Sequence, residues 1–239
     1  MKRALVTGGS GAIGAAIARK LAADGHHVYV HAHRGAERAT DIVSQLRAAG
    51  GSADAIVFDV TDAAASERIL TAALAAGPVQ ILVNNAGIHD DAVLPGMRRE
   101  QWTSVIDVSL NGFFNVTQPL LMPMIATRWG RIVNLSSVTA LVGNRGQTNY
   151  AAAKAGLHGA ARSLSLELAS RGITVNTVAP GIIASPMSDD AFGKEAIDRL
   201  VPMKRAGTPD EVAALVAFLA SDAAGYISGQ LISINGGMI

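Results

Sequence analysis

Short, almost continuously apolar runs alternate with alanine-rich helical patterns along the whole chain, and that alternation leaves few folds open. The strand-like runs are Ala4–Thr7, Val28–His31, Ala55–Val60, Val79–Asn84, Arg131–Ser136, Thr174–Ala179 and Leu231–Ile234. Runs without a polar face suit parallel strands covered on both sides. Between them lie helical patterns at Ala12–Asp24, Ala36–Ala49, Ala63–Ala76, Gln101–Thr127, Asn149–Ser170 and Pro209–Ala220. Strand–helix alternation with right-handed crossovers predicts an α/β fold, a doubly wound seven-stranded parallel sheet with helices on both faces. No linker, repeat or low-complexity tract divides residues 1–239, so they read as one domain. The least regular stretch, Gly181–Arg205, has prolines at 180, 186 and 202. A long irregular segment in a compact domain usually covers a site.

Composition narrows the chemistry. Lys+Arg 20 against Asp+Glu 19 leaves a net charge of +1, too little field to capture nucleic acid or anionic lipid. With no cysteine, disulfides, thiolate metal sites and cysteine nucleophiles are excluded. Lys2 and Arg3 followed by small apolar residues imitate a signal peptide, but Thr7-Gly8-Gly9-Ser10-Gly11 breaks the apolar segment. The longest clean apolar stretch elsewhere, Val212–Ala220, has nine residues, against the ~20 of a membrane span. The expectation is a soluble, cytoplasmic protein without membrane or nucleic-acid partners.

The first strand runs through Thr7-Gly8-Gly9-Ser10-Gly11-Ala12-Ile13-Gly14 into the first helix. Helix N-terminal amides and the helix dipole favour an anionic pyrophosphate, and glycines let the backbone approach it. Gly9, Gly11 and Gly14 match the dinucleotide fingerprint G-x-G-x-x-G in the strand-to-helix context that gives it meaning. The second strand ends His31-Ala32-His33-Arg34 with no carboxylate to hold a ribose 2′-hydroxyl; the next acid is Glu37. Arg34 and His33 tolerate a 2′-phosphate, which points to NADP(H), although all three could simply be solvated at a strand end. His31-x-His33 places two imidazoles on one strand face, but no third ligand is evident, so no metal site is expected.

Tyr150 and Lys154 sit four apart on a predicted helix and so share a face. A relay working near neutrality needs the phenol's pKa of ~10 lowered by roughly 3 units, and one ammonium at ~4 Å at an effective dielectric of ~20 supplies about that much. Alone the pair is common helix surface. Its neighbours raise its meaning: Asn134-Leu135-Ser136-Ser137 ends the fifth strand and Asn84-Asn85-Ala86-Gly87 the fourth, both at the carboxyl edge where open α/β sheets bind ligands.

Taken together, Thr7–Gly14, Asn84-Asn85-Ala86-Gly87, Ser137, Tyr150-x-x-x-Lys154 and Pro180-Gly181 resemble the short-chain dehydrogenase/reductase family over essentially the whole chain. The segments GQTNYAAAKAG (146–156), ASRGITVNTVAPG (169–181) and FLASDAAGYISGQLISINGG (218–237) are similar to its 3-oxoacyl-acyl-carrier-protein reductase branch. The resemblance implies a Rossmann domain with Ser137, Tyr150 and Lys154 as catalytic residues. Tyr150 would protonate a carbonyl oxygen that Ser137 holds, and Lys154 would bind the nicotinamide ribose. Gly8, Ser10, Gly11, Ala12, Ile13 and Gly14 would hold the pyrophosphate, and His33 and Arg34 the 2′-phosphate. Asp59 and Val60 would line the adenine pocket, Asn85, Ala86 and Gly87 the adenine ribose, and Pro180, Gly181 and Ile183 the carboxamide. Gly181–Arg205 would be a substrate lid, its Ile182, Ile183, Met187, Phe192, Ile197, Leu200, Val201 and Met203 suiting an acyl chain or packing a closed lid on the core. Arg128 and Arg171 match carrier-docking positions, or are ordinary solvated helix-end arginines. Small residues on the two long helices fit the family's usual homotetramer.

Two departures stand out. Ala12 replaces the middle glycine of the family turn. Ser109 replaces an asparagine associated with a relay water, and Asn111 lies two residues, about 200°, further round. Either Ser109 holds the water, or the helix is distorted, or the relay differs. The leading expectation is NADPH-dependent reduction of a carrier- or CoA-bound 3-oxoacyl thioester in fatty-acid or polyketide/polyene synthesis. The alternatives are reduction of another ketone, or a non-catalytic NADP(H)-binding subunit.

Overall fold

The computed structural model describes residues 1–185 and 193–239. Its seven strands are β1 (Arg3–Val6), β2 (His27–Ala32), β3 (Ser52–Val57), β4 (Val79–Asn84), β5 (Gly130–Leu135), β6 (Ile173–Pro180) and β7 (Leu231–Ile234). They form one sheet in the order β3-β2-β1-β4-β5-β6-β7, every pairing parallel. This is the Rossmann-type architecture read from the alternation. The order reverses between β1 and β4, which opens a crevice at the strands' carboxyl ends.

The helices are α1 (Ala12–Ala23), α2 (Ala36–Ala48), α3 (Ala63–Leu74), α4 (Arg99–Ile106), α5 (Gly112–Thr127), α6 (Thr139–Val142), α7 (Thr148–Leu168), α8 (Lys194–Leu200) and α9 (Pro209–Ala220). Side chains alternate across each strand, so β1 sends Ala4 and Val6 into a core under α1, α2 and α9, and Leu5 into a second core under α3, α5 and α7. All three are fully buried, which is why the run shows no polar period. No helix among the described residues is long and apolar enough to cross a membrane.

Four boundaries differ from the sequence reading. β3 covers Ser52–Val57, not Ala55–Val60: after Val57 pairs with Ala32 the chain leaves the sheet, yet Phe58 and Val60 still drop into the second core. Burial therefore gave these loop residues the look of a strand. The pattern over Gln101–Thr127 is two helices, α4 and α5, joined by a π-helical turn at Asp107–Asn111. α6 was hidden because it is four residues long, and α8 lies inside the segment expected to be irregular. Met187 and Phe192, expected in the lid, fall outside the described residues.

Candidate active site

α7 carries Tyr150 and Lys154, and a buried asparagine fixes where α7 begins. Asn149 is fully buried; its Nδ2 donates to the carbonyls of Asp90 (3.0 Å) and Gln101 (2.8 Å), and its Oδ1 accepts from the Tyr150 amide (2.8 Å). The first turn of α7 is thus tied to the loop after β4. Asn149 was missed in the sequence; an asparagine at a helix start, directly before the tyrosine, was the available signal.

One turn on, Lys154 is buried, and its Nζ donates to the Leu135 carbonyl at the end of β5 (2.8 Å). Burial lowers its pKa to about 8. The next residue of that strand end, Ser136, donates to the Lys154 carbonyl (3.2 Å) and meets His158 Nε2 (2.6 Å). Ser137 follows and is hydrogen-bonded to the Tyr150 hydroxyl. Ser137, Tyr150 and Lys154 therefore converge from two elements.

The Tyr150 phenol differs from its expected state. Burial raises its pKa, the bond from Ser137 opposes this, and the Asp91 carboxylate adds to the rise. Lys154 Nζ lies 5.8 Å from the ring centroid, with its hydrogen bond directed at Leu135. Lys154 does not offset the effect of burial on the phenol.

Ile13, Asn85, Gly87, Ile88, His89, Leu135, Ser136, Tyr150, Lys154 and Pro180 line one cavity of about 310 Å³ at the carboxyl ends of the strands. The residues around it fit a dinucleotide. α1 starts at Gly11 with no side-chain cap, leaving its first amides to a ligand. A Cβ on Gly14 would collide with the Gly8 carbonyl, and Gly8 has φ +61°, so both glycines are required by the turn. Gly11 needs to be glycine less, since a Cβ there meets its nearest atom at 3.4 Å. Ala12 opens α1 with its methyl exposed, in a groove shared with Ser10, Gly11 and Arg38. Arg38, one turn into α2, was not singled out in the sequence.

Asn85 works on the turn itself: its Nδ2 donates to the carbonyls of Thr7 (2.9 Å) and Gly8 (3.2 Å). The backbone amides of Asn85 and Ala86 both donate to Thr7 Oγ1. A Cβ on Gly87 would stand 3.0 Å from Lys154 Nζ, so Gly87 leaves the lysine open to the cavity. Asp59 Oδ1 accepts from the Thr61 amide and hydroxyl, and its Oδ2 is 3.6 Å from His33 Nε2. His33 thus leans toward Asp59, while Arg34 is exposed. The Val60 side chain packs in the second core.

His31 is a structural histidine. The Gly8 amide donates to its Nδ1 (3.0 Å), so Nε2 carries the proton and donates to the Phe58 carbonyl (2.9 Å). Both nitrogens are engaged, and burial lowers its pKa to about 4. Among the described residues no three His, Asp or Glu side chains are grouped to hold a metal.

Gly181 packs against Asn235, where a Cβ would meet it at 2.8 Å. Ile183 bridges to Gly207 and lines, with Ile182, Val201 and Met203, a second cavity of about 340 Å³ beside Ser233–Gly237. It does not line the cavity that holds Tyr150. Ser109 sits in the π-helical turn, 4% exposed, and its hydroxyl meets no partner among the described residues. It faces the space beside Gly87 and Lys154, whereas Asn111 is exposed and donates to Asp107 (2.7 Å). The local distortion is therefore real, and Ser109 is the inward residue. Arg128 and Arg171 flank the starts of β5 and β6, the opposite sheet edge from Tyr150, with Arg128 Nη2 on the Ser170 carbonyl (3.2 Å).

A doubly wound parallel sheet with a glycine cradle at the first strand-to-helix turn, and a serine, tyrosine and lysine at its carboxyl edge, defines a dinucleotide-dependent oxidoreductase of the Rossmann class. Comparison with known proteins narrows this: the family described as enoyl-(acyl carrier protein) reductase matches residues 8–239. The 3-oxoacyl-[acyl-carrier-protein] reductase FabG of Staphylococcus aureus (strain Mu50) is 45% identical over 240 residues, 99% of this chain and 98% of that protein. FabG of Aggregatibacter actinomycetemcomitans is 43% identical over 236 residues, 98% of each chain. The 3-oxoacyl-[acyl-carrier-protein] reductase of Synechocystis is 43% identical over 238 residues, 99% of this chain and 96% of that one. The chain belongs to the short-chain dehydrogenase/reductase family, and is a nicotinamide-dependent oxidoreductase.

Proposed function

We propose that the protein uses NADPH to reduce the 3-oxo group of a carrier-bound 3-oxoacyl thioester, in fatty-acid or related synthesis. The observation that carries this reading is the hydrogen bond between Ser137 and Tyr150, with Tyr150 lining one cavity with Lys154 and Pro180. Two adjacent hydroxyls suit a carbonyl oxygen that gains charge as it is reduced. The relatives' names supply the substrate class. Bound NADPH supplies the hydride. Ser137 holds the carbonyl oxygen, Tyr150 hands it the phenolic proton, and Lys154, held at Leu135, stabilises the charge left on the phenolate.

NADPH over NADH is favoured by the positive groups at the β2 end. Arg34 and Arg38 are exposed there, and Ser10 lies against Gly35. Residues 1–239 act as one domain in this reading, with 181–205 over the substrate side, in a cytoplasmic homotetramer. Exposed Phe114 and Met122 on α5 and Leu166 on α7 support pairing of those helices between copies. Arg128 and Arg171 lie at the sheet edge away from their own cavity, so a carrier they dock serves a neighbouring copy's cavity.

The test is NADPH oxidation with acetoacetyl thioesters of carrier protein and CoA, beside a 2-enoyl thioester. Turnover of the 3-oxo substrates is expected; turnover of the enoyl substrate alone, or of neither, overturns the reading.

A further inference from the structure

We propose that His158 is a positioning residue for the reduction: its imidazole holds the Ser136 hydroxyl, and so fixes the end of β5, with Ser137, against the helix that carries Tyr150 and Lys154. The inference rests on the roles given above to Ser137, Tyr150 and Lys154. Those three groups come from two elements, and they work together only while the two elements keep a close register.

Tyr150, Lys154 and His158 are spaced four apart on α7 and form one stripe. Three successive residues at the end of β5 meet that stripe. The Leu135 carbonyl accepts from Lys154 Nζ (2.8 Å), and Ser137 is bonded to the Tyr150 hydroxyl. Between them, the Ser136 hydroxyl donates to the Lys154 carbonyl (3.2 Å) and meets His158 Nε2 (2.6 Å). Ser136 is 6% exposed, and its one hydroxyl proton goes to a carbonyl that can only accept. Nε2 therefore carries the ring proton and donates to Ser136 Oγ. Burial, with Arg162 one turn further along α7, lowers the His158 pKa, so the ring is neutral at pH 7. The backbone on either side of Ser137 is held by β6, since the Ser136 amide donates to the Val178 carbonyl and the Val138 amide to the Pro180 carbonyl (2.8 Å each). The Ser136 side chain ties the same stretch to α7. Ser136 also lines the cavity that Tyr150 and Lys154 line. Without His158 its hydroxyl loses a partner, and is free to turn into that cavity and release the Lys154 carbonyl.

The test measures kcat and KM for an acetoacetyl thioester, and Kd for NADPH, in wild type, His158→Leu, His158→Gln, Ser136→Ala and the Ser136→Ala/His158→Leu double variant. In His158→Leu kcat is expected to fall about tenfold, short of the ~10²-fold of a 1 Å misplacement, with KM and Kd within about twofold of wild type. His158→Gln, which keeps an N–H donor, is expected to recover most of the loss, which packing alone does not produce. Because both residues act through one contact, the double variant is expected to be no slower than the slower single variant. Ser136→Ala removes the same contact and is held to the same expectations should His158→Leu not fold. The inference is overturned by kcat within about twofold of wild type in His158→Leu, by His158→Gln no faster than His158→Leu, or by losses that multiply in the double variant. A wild type that reduces a plain ketone and not the thioester overturns the 3-oxoacyl reading alone, and the same comparison is then read on the ketone. A wild type that reduces neither overturns both.

Discussion

Lys154 Nζ stands 5.8 Å from the centre of the Tyr150 ring and donates its hydrogen bond to Leu135, not to the phenol. The lysine is thus placed by the strand end, and the tyrosine by Asn149 one turn earlier. Burial holds the phenol above its ordinary range. Absorbance titration of wild type minus Tyr150→Phe is expected to show this one phenol still protonated at pH 10, where a free tyrosine is about half ionised. Tyr150→Phe is expected to lower kcat about 10²- to 10⁴-fold, the range for loss of a positioned proton donor.

A buried ammonium destabilises the fold. Lys154 titrates at about 8 in the folded protein against 10.5 for the exposed side chain. The folded state therefore binds fewer protons between those values, and stability rises with pH across that window. The penalty at pH 7 is at most ~3 kcal/mol by linkage, offset in part by the bond to Leu135. Lys154→Met is expected to abolish reduction while raising the urea midpoint at pH 7. Its advantage over wild type narrows as pH rises from 8 toward 10. Equal stability of the two proteins at every pH would show that the ammonium carries no burial penalty.

His31 acts in the acid range by the same logic. Its folded pKa of about 4 lies below the ordinary 6.5, so its contribution is complete above 6.5 and is lost as pH falls toward 4. The loss amounts to at most ~3 kcal/mol. Because the Gly8 amide donates to its Nδ1, protonation also frees the phosphate-binding turn. Urea unfolding and NADPH binding measured from pH 7.5 to 4.5 are expected to weaken together in wild type. In His31→Asn the acid slope of both is expected to be shallower. His26, His27 and His158 are also lowered by burial and leave a residual slope.

The sheet was legible in the sequence because its inner strands are buried on both faces, and a run such as Ala4–Val6 has no other use. The grouping of Ser137, Tyr150 and Lys154 was legible because four-residue spacing on a helix and a serine at a strand end fix a place in this topology. Less legible were residues acting through other side chains. Asn149, His31 and Gln147 touch loops distant in sequence, and no local spacing announces such contacts. The π-helical turn at Asp107–Asn111 was hidden for another reason: the apolar pattern continues through it, and only the inward turn of Ser109 betrays the extra residue.

The proposed preference for NADPH rests on the end of β2. With His33 leaning on Asp59, exposed Arg34 and Arg38 are the positive groups we assign to a 2′-phosphate. Arg34→Ala and Arg38→Ala are each expected to lower the NADPH-to-NADH ratio of kcat/KM by about tenfold, as loss of one charged hydrogen bond implies. Raised salt is expected to shrink the wild-type ratio, because these groups are exposed and screened. An unchanged ratio in the double variant would move phosphate recognition elsewhere.

Ser109 and Asn111 offer a matched pair for testing what the π-helical turn does. The Ser109 hydroxyl is buried without a partner among the described residues, and an unsatisfied buried polar group costs ~1–3 kcal/mol. Asn111 makes an exposed bond to Asp107, four residues back, and such surface contacts are within about 0.5 kcal/mol of neutral. Ser109→Ala is therefore expected to raise stability by about 1 kcal/mol, or ~2–4 °C in Tm for a chain of this size, while Asn111→Ala leaves it nearly unchanged. A loss of stability in Ser109→Ala would mean that the hydroxyl is satisfied in solution, and that the turn was built to hold what satisfies it.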